Sequence, residues 1–362
     1  MKSFISLLII ALLAGTWPAD AQDAPKSRGN TFNPDIGVNG LFLYRNSSRG
    51  NAAGADQNGF GVQEAELQFA ADVDPYLRAV ANFGVERDPT TGEWEFDTEE
   101  IYGETIGLSL VTVRFGLFNA LVVKHNLLHT HAYPFLDAPV INTELFGEEP
   151  LRESGLSVSA LIPTDWFMEL TLQVLNGDSP ELFASPTPND NAGLAYLDTL
   201  FDLSDTLTLQ AGASYLTGQN LADATLGTTG NTRVVGGELA VKWKPIGVES
   251  IRTLKWATQF LAGEKTAGET PNDKKQGIAS WVQWQFEQRW WLQVRTEYMD
   301  EFSGGDLAVT RKKNTALVAF TPSEFSAIRG QFDQLDDGGE SPERRLMVQF
   351  NWSIGAHPAH QY

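Results

Sequence analysis

The feature that most constrains this fold is a repeated alternation of polar and apolar residues, in segments of about ten to fifteen residues. In residues 64–69, EAELQF, acidic or amide side chains alternate with alanine, leucine and phenylalanine. Successive side chains of a β-strand point to opposite faces, so each such segment has one apolar and one polar face. The pattern predicts an all-β protein.

The connections between these segments alternate between tight breaks, such as Asp74-Pro75, and longer polar breaks, such as 46–58. Between residues 34 and 355 we count about sixteen segments, and an even number with short turns at one end is typical of outer-membrane barrels. A soluble β-sandwich would not impose that alternation of loop lengths. We therefore predict a transmembrane antiparallel up-and-down β-barrel over 34–355, followed by a tail at 356–362.

The N-terminus has the pattern of an export signal. Lys2 precedes the apolar run 5–14, and small residues at 19–21 offer a cleavage site, which predicts a signal peptide at 1–21. Residues 22–33 would then form a periplasmic N-terminal segment. No later run reaches the roughly 18 apolar residues that a membrane helix needs. A protein exported in this way is periplasmic, secreted or located in the bacterial outer membrane.

The formal net charge of −20 excludes a basic nucleic-acid surface and predicts a lumen that attracts cations. The chain has no cysteine, which excludes disulfides and thiolate metal sites.

The expected partners are outer-membrane lipid, lipopolysaccharide and the barrel assembly machinery, because the final strand, 346–355, carries apolar side chains on its lipid face and aromatic residues. The sequence leaves a monomer and a homotrimer open.

Residues 121–150 form the longest interval without strand alternation. They connect the fifth and sixth predicted strands, which makes them the third outer loop. In sixteen-stranded general porins the corresponding loop folds into the lumen, and by analogy we expect this loop to form a constriction. The candidate constriction residues are Tyr133, Phe135, Asp137, Glu144, Glu148 and Glu149.

Charged residues on the polar face of the strands are candidates for the lumen wall. They are Glu64, Glu66, Arg78, Arg114, Glu169, Lys255, Arg295 and Arg329. Acidic loop residues facing the basic wall residues across a passage would impose a transverse field on solutes. This arrangement predicts passage of small polar solutes.

Three of the five histidines, His125, His129 and His131, lie in the same loop. Imidazole is a common ligand of transition metals, so these residues are a candidate zinc site. The alternative is that they only form hydrogen bonds or stack. An enzymatic function is not expected, because Ser157 and Ser159 have the lumen register but no predicted strand carries a histidine that would activate them.

Several segments together resemble a known family. They are DVDPYLRAVANFGVE at 72–86, HTHAYPFLDAPVINTELFGEEPLRESG at 129–155, PTDWFMEL at 163–170 and SIGAHPAHQY at 353–362. They look like uncharacterised porin-like outer-membrane proteins of Gram-negative bacteria, some of which are labelled zinc-regulated TonB-dependent receptors. A TonB-dependent transporter needs a plug domain and about 22 strands. Here the first strand follows the predicted cleavage site too closely for a plug.

We therefore expect a porin-like channel for small polar solutes that prefers cations and is constricted by residues 121–150. One alternative is a barrel that binds or takes up zinc. A second is a structural or adhesive barrel that does not conduct.

Overall fold

A computed structural model describes residues 34–50, 57–88, 90–183, 190–223, 228–247, 252–267, 270–339 and 341–355. The predicted signal peptide at 1–21, the N-terminal segment at 22–33 and the tail at 356–362 lie outside the described residues. Within the described residues, the helices do not reach the length and hydropathy of a membrane-spanning helix.

Sixteen antiparallel strands close into one barrel, which confirms the predicted fold class. In chain order they are β1 (Asp35–Ser47), β2 (Gly59–Asp74), β3 (Leu77–Arg87), β4 (Trp94–Thr105), β5 (Val111–Asn119), β6 (Arg152–Leu161), β7 (Phe167–Leu175), β8 (Ala192–Ser204), β9 (Leu207–Asp223), β10 (Thr228–Trp243), β11 (Leu254–Ala267), β12 (Thr270–Glu287), β13 (Trp290–Ser303), β14 (Asp306–Ser323), β15 (Ser326–Asp336) and β16 (Glu343–Gly355). Each strand pairs with its neighbours in sequence, and β1 pairs with β16 to close the sheet.

The two faces of the barrel differ in polarity as the alternation predicts. Phe42 and Val348 stand on the outer face, where they are 50% and 42% exposed. Glu66, Asp333 and Gln349 stand on the inner face and are buried. A closed sheet with an exposed apolar outside and a polar inside is the arrangement that a lipid bilayer stabilises.

Two hairpins extend further than the sequence pattern predicts. Residues 218–231 and 263–275 read as polar loops, yet the pairing of β9 with β10 continues to Asn220↔Gly230, and that of β11 with β12 continues to Lys265↔Asp273. Glycine, threonine and charged residues there place polar groups on both faces, so apolar alternation stops while backbone pairing continues. The alternation therefore marks where the lipid-facing surface ends and not where the strand ends.

A β-bulge in β4 changes which side chains reach the interior. Asn82 of β3 pairs with Glu100, but the next residue, Phe83, pairs with Thr98, which leaves Glu99 as the extra residue. Bulges of this kind redirect side chains. Glu99 and Glu100 are in consequence both buried on the inner face.

The loop between β5 and β6 contains two short 3₁₀ turns, Lys124–Leu127 and Thr130–Ala132, and one α-helix, α1 (Val140–Phe146). We call residues 121–150 the inner loop. Many of its apolar side chains, among them Val122 and Phe135, are almost completely buried. They pack in two apolar clusters with inward-facing residues of the strands.

Two glycines on the inner face of the sheet make room for α1. A Cβ atom at Gly263 would lie 2.5 Å from Leu145, and one at Gly277 would lie 3.0 Å from Ile141. Side chains at these two positions would force the helix away from β11 and β12. The inner loop therefore packs against the sheet inside the barrel.

A charge on the outer face should destabilise the barrel according to its depth in the bilayer. We expect Val348→Arg, in the middle of β16, to lower the free energy of unfolding by about 2–4 kcal/mol. The control Leu307→Arg, beside the β13–β14 turn, should cost about 0–1 kcal/mol. Urea unfolding in lipid vesicles measures both, and equal losses would contradict the assigned outer face.

Candidate functional site

Asp137 anchors the inner loop to one side of the barrel. Its carboxylate accepts from Arg295 at 2.7 Å, Lys313 at 2.5 Å and Arg345 at 3.2 Å, which project inward from β13, β14 and β16. Although burial raises the pKa of Asp137, Lys313 and Arg295 hold it well below its usual range. The carboxylate is therefore ionised and compensated by cations.

Backbone groups of the inner loop are held by polar side chains of the same wall. Arg329 donates to the carbonyl of Tyr133 at 2.7 Å, and the Leu136 N–H donates to Gln331 at 2.8 Å. The guanidinium of Arg295 also lies over the ring of Phe135, 4.5 Å from its centroid. These bonds fix the loop segment on both sides of Asp137.

The inner loop also contacts the opposite wall. Lys124 forms an ion pair with Asp198 of β8 at 2.8 Å, and its backbone N–H donates to Glu238 of β10 at 3.0 Å. On the same side as Asp137, Glu144 of α1 pairs with Lys275 of β12 at 3.1 Å and with Arg311 of β14 at 3.6 Å. The loop thus reaches from one side of the lumen to the other.

A third group of contacts joins the inner loop to β2 and β4. His129 lies 2.7 Å from Glu99 through Nδ1 and 3.0 Å from Glu100 through Nε2. His131 Nδ1 lies 2.6 Å from Glu66. We call Glu64, Glu66, Glu99, Glu100, His129 and His131 the Glu-His cluster.

Burial opposes protonation of His129, but hydrogen bonds to Glu100 and Glu99 outweigh it and raise the pKa of this imidazole well above its usual value. The ring of His131 stacks against that of His129, with centroids 6.0 Å apart. The strand carboxylates therefore impose a strongly negative potential on both imidazoles.

His125 lies apart from the other two loop histidines. Its ring packs on Tyr133 at a centroid distance of 4.7 Å, and burial, with Arg295 nearby, lowers its pKa to about 3. The three histidines predicted as one metal site are consequently divided, because only His129 and His131 come together. Glu99 and Glu100 were not among the site residues predicted from the sequence. The available signal was the presence of two adjacent glutamates within one strand, because a bulge is needed to place both on the same face.

The other predicted wall residues line the inner face without joining the Glu-His cluster. Arg114 pairs with Glu104 at 2.7 Å. Arg78 and Glu169 are partly buried on β3 and β7, and Lys255 borders a small cavity of about 70 Å³. The expected open passage between Asp137 and Arg295 is absent, because these two side chains touch.

A larger cavity of about 310 Å³ lies between the inner loop and the wall formed by β1, β2 and β3. Its charged lining residues comprise six carboxylates and two arginines: Glu64, Glu86, Asp88, Asp137, Glu148, Glu149, Arg45 and Arg87. This is the acidic side of the lumen, whereas the cations around Asp137 form the basic side.

No family model matches the chain. An uncharacterised protein of Aquifex aeolicus (strain VF5) is 28% identical over 346 residues, which span 85% of this chain and 71% of that protein. Among solved structures, a loop-deletion mutant of the outer membrane protein OmpT of Vibrio cholerae has a TM-score of 0.61 at 10% identity, covering 89% of this chain and 99% of its own.

Two porins show the same likeness. An anion-selective porin from Comamonas acidovorans has a TM-score of 0.58 at 12% identity, covering 89% of this chain and 98% of its own. Salmonella typhi OmpF in complex with daunomycin has a TM-score of 0.59 at 11% identity, covering 89% of this chain and 97% of its own. The fold is that of a porin-like outer-membrane barrel. At 10–12% sequence identity, this likeness concerns the fold alone.

Removing the anchor charge of the inner loop should loosen the loop. In Asp137→Asn, three buried or half-buried cations lose their carboxylate, and breaking such a pair costs roughly 3 kcal/mol. We expect a lower unfolding temperature and faster proteolysis within 121–150. The control Asp165→Asn makes the same chemical change in the exposed β6–β7 turn and should change neither. Equal behaviour of the two variants would contradict the anchoring role.

Proposed function

We propose that this porin-like barrel is a channel through which small polar solutes diffuse, with a preference for cations. The inner loop narrows the lumen, and solutes pass on the acidic side. The observation that carries the proposal is the position of the loop, which packs against the basic side and borders a cavity of about 310 Å³ beside β1, β2 and β3.

The charges on the two sides of the lumen support a preference for cations. On the basic side, Asp137, Glu297 and Asp333 pair with the arginine and lysine side chains, so little net charge remains. On the acidic side, the cavity lining includes Glu64, Glu86, Glu148 and Glu149. A narrow passage lined by carboxylates raises the local concentration of cations.

Selectivity must come from this chain's own lining residues, because the fold alone does not determine it. One of the structural neighbours is described as an anion-selective porin. The same barrel architecture therefore accommodates different charges in the lumen, and the carboxylates named above decide the sign here.

Diffusion, and not catalysis, is the proposed activity. Ser157 accepts a hydrogen bond from Gln173, and Ser159 shares a hydrogen bond with Thr171; within the described residues neither serine is hydrogen-bonded to a histidine or a carboxylate. The proposed surroundings are outer-membrane lipid, lipopolysaccharide and the barrel assembly machinery, with no nucleic acid. A homotrimer is consistent with the fold, since one structural neighbour is described as a trimer form of OmpT.

The decisive experiment is the reversal potential of the purified protein in a planar bilayer with a KCl gradient. We expect a cation-selective potential that moves toward zero in Glu148→Gln/Glu149→Gln, because two carboxylates leave the passage. Glu324→Gln, in the exposed β14–β15 turn, is the matched control and should keep the wild-type value. Anion selectivity would contradict the proposed charge preference, and a protein without conductance would support the structural or adhesive alternative.

Cation selectivity should also depend on pH near neutrality. Burial, together with the nearby carboxylates Glu86, Glu99 and Asp97, raises the pKa of Glu149 to about 7 against the opposing effect of Arg152. Glu149 therefore ionises as the pH rises from about 6 to about 8, and the cation preference should increase over this range. In Glu149→Gln the increase should disappear. If the cation preference of Glu149→Gln still increases with pH as in the wild type, a group other than Glu149 is responsible for the titration.

A further inference from the structure

Five potential ligand side chains converge where the inner loop meets β2 and β4. Glu66, Glu99 and His129 form one group, and Glu64, Glu66 and His131 form a second, with one ligand atom of each residue within 4.8 Å of the others in its group. Glu66 belongs to both groups. A first-row divalent ion with bonds of about 2.0–2.2 Å holds adjacent ligand atoms roughly 3 Å apart. The distances of 2.6 to 3.9 Å between these imidazoles and carboxylates are suited to that geometry.

The cluster has a deficit of positive charge. In the described part of the chain, no lysine or arginine lies within ion-pair distance of Glu64, Glu99 or Glu100, although all three are buried. By contrast, Asp137 alone contacts three cations. Buried carboxylates are costly unless they are paired or bind metal. A proton on each imidazole would supply at most two positive charges for four carboxylates.

Glu64 carries a second and independent indication of a ligand. The residue is 6% exposed, and its Oε1 atom is buried without accepting a hydrogen bond. A buried carboxyl oxygen in that position lacks the hydrogen-bond partner that folded proteins normally give to buried polar atoms. A cation bound beside it would stabilise that oxygen.

The elements that present these ligands are held in place by other contacts. The bulge in β4 brings Glu99 onto the inner face next to Glu100. The loop segment that carries the imidazoles is fixed by Asn351, which donates to the carbonyl of His131 at 3.2 Å. Asn82 lies 3.2 Å from Nε2 of His129. In metal sites, hydrogen bonds of this kind from neighbouring residues orient the side chains that bind the metal.

We propose that Glu66, Glu99 and His129, together with Glu64 and His131, bind a divalent transition-metal ion of the Zn²⁺ or Mn²⁺ class. Mixed imidazole and carboxylate ligands suit such ions, whereas Mg²⁺ and Ca²⁺ prefer oxygen ligands alone and Cu⁺ prefers sulfur. The bound ion joins the inner loop to β2 and β4. Glu64 also lines the larger cavity, so the ion lies beside the proposed passage. The inference does not depend on conduction.

Calorimetry on the folded full chain in detergent, freed of metal with a chelator, tests the proposal. Titration with Zn²⁺ and separately with Mn²⁺ should reveal saturable binding of at least one ion by the wild-type protein. Glu99→Gln, which preserves the shape of the side chain, and His131→Asn should each weaken binding at least tenfold. His125→Asn is the matched control, because it removes a buried histidine of the same loop that lies outside the cluster, and it should bind like the wild type.

The histidines at 357 and 360 supply a further control, since tail histidines can also bind metal. The double variant His357→Asn/His360→Asn should retain the binding. A wild-type shift in gel mobility between unboiled and boiled samples checks that each variant has the folded barrel. The proposal is overturned if the wild type binds neither ion, if Glu99→Gln and His131→Asn both bind as tightly as the wild type, or if the tail variant abolishes binding. Each result is independent of the bilayer recordings.

Discussion

A sheet that crosses a bilayer must pair its backbone N–H and C=O groups within itself, because lipid offers them no partner. In this chain the pairing of β1 with β16 meets that requirement by closing the sheet. Closure also creates an interior that the apolar outer face cannot fill. The polar inner face and the inner loop follow from this requirement, since they occupy the space that closure creates.

The inner loop occupies that space asymmetrically. Phe135, Leu136 and Asp137 pack toward β11 to β16, where cations and carboxylates compensate each other. Val122, Ile141 and Leu145 pack in the other apolar cluster, whose strand residues come mainly from β7 to β10. His129 and His131 face the other way, toward four glutamates on β2 and β4. The lumen therefore has a neutralised side and an acidic side. Both the proposed passage and the proposed metal site belong to the acidic side, and this common position explains why Glu64 takes part in each.

Much of the architecture was predictable because lipid imposes a simple rule on every strand. The number and order of strands, the inner and outer faces and the place of the long loop all follow from alternation and from turn signals. The ends of β9, β10, β11 and β12 did not follow, because backbone pairing continues after apolar alternation stops. Alternation reports the environment of side chains, whereas pairing depends on the backbone.

The sequence by itself determined which residues a barrel of this kind would place inside it, among them Glu64, Glu66 and the loop histidines. Only the tertiary structure decided which of them meet. The bulge at Glu99 breaks the period-two rule, so alternation alone assigns one of the two adjacent glutamates to the lipid. The separation of His125 from His129 and His131 likewise depends on how the irregular loop packs. Contacts between distant segments arise from that packing, and no local periodicity encodes them.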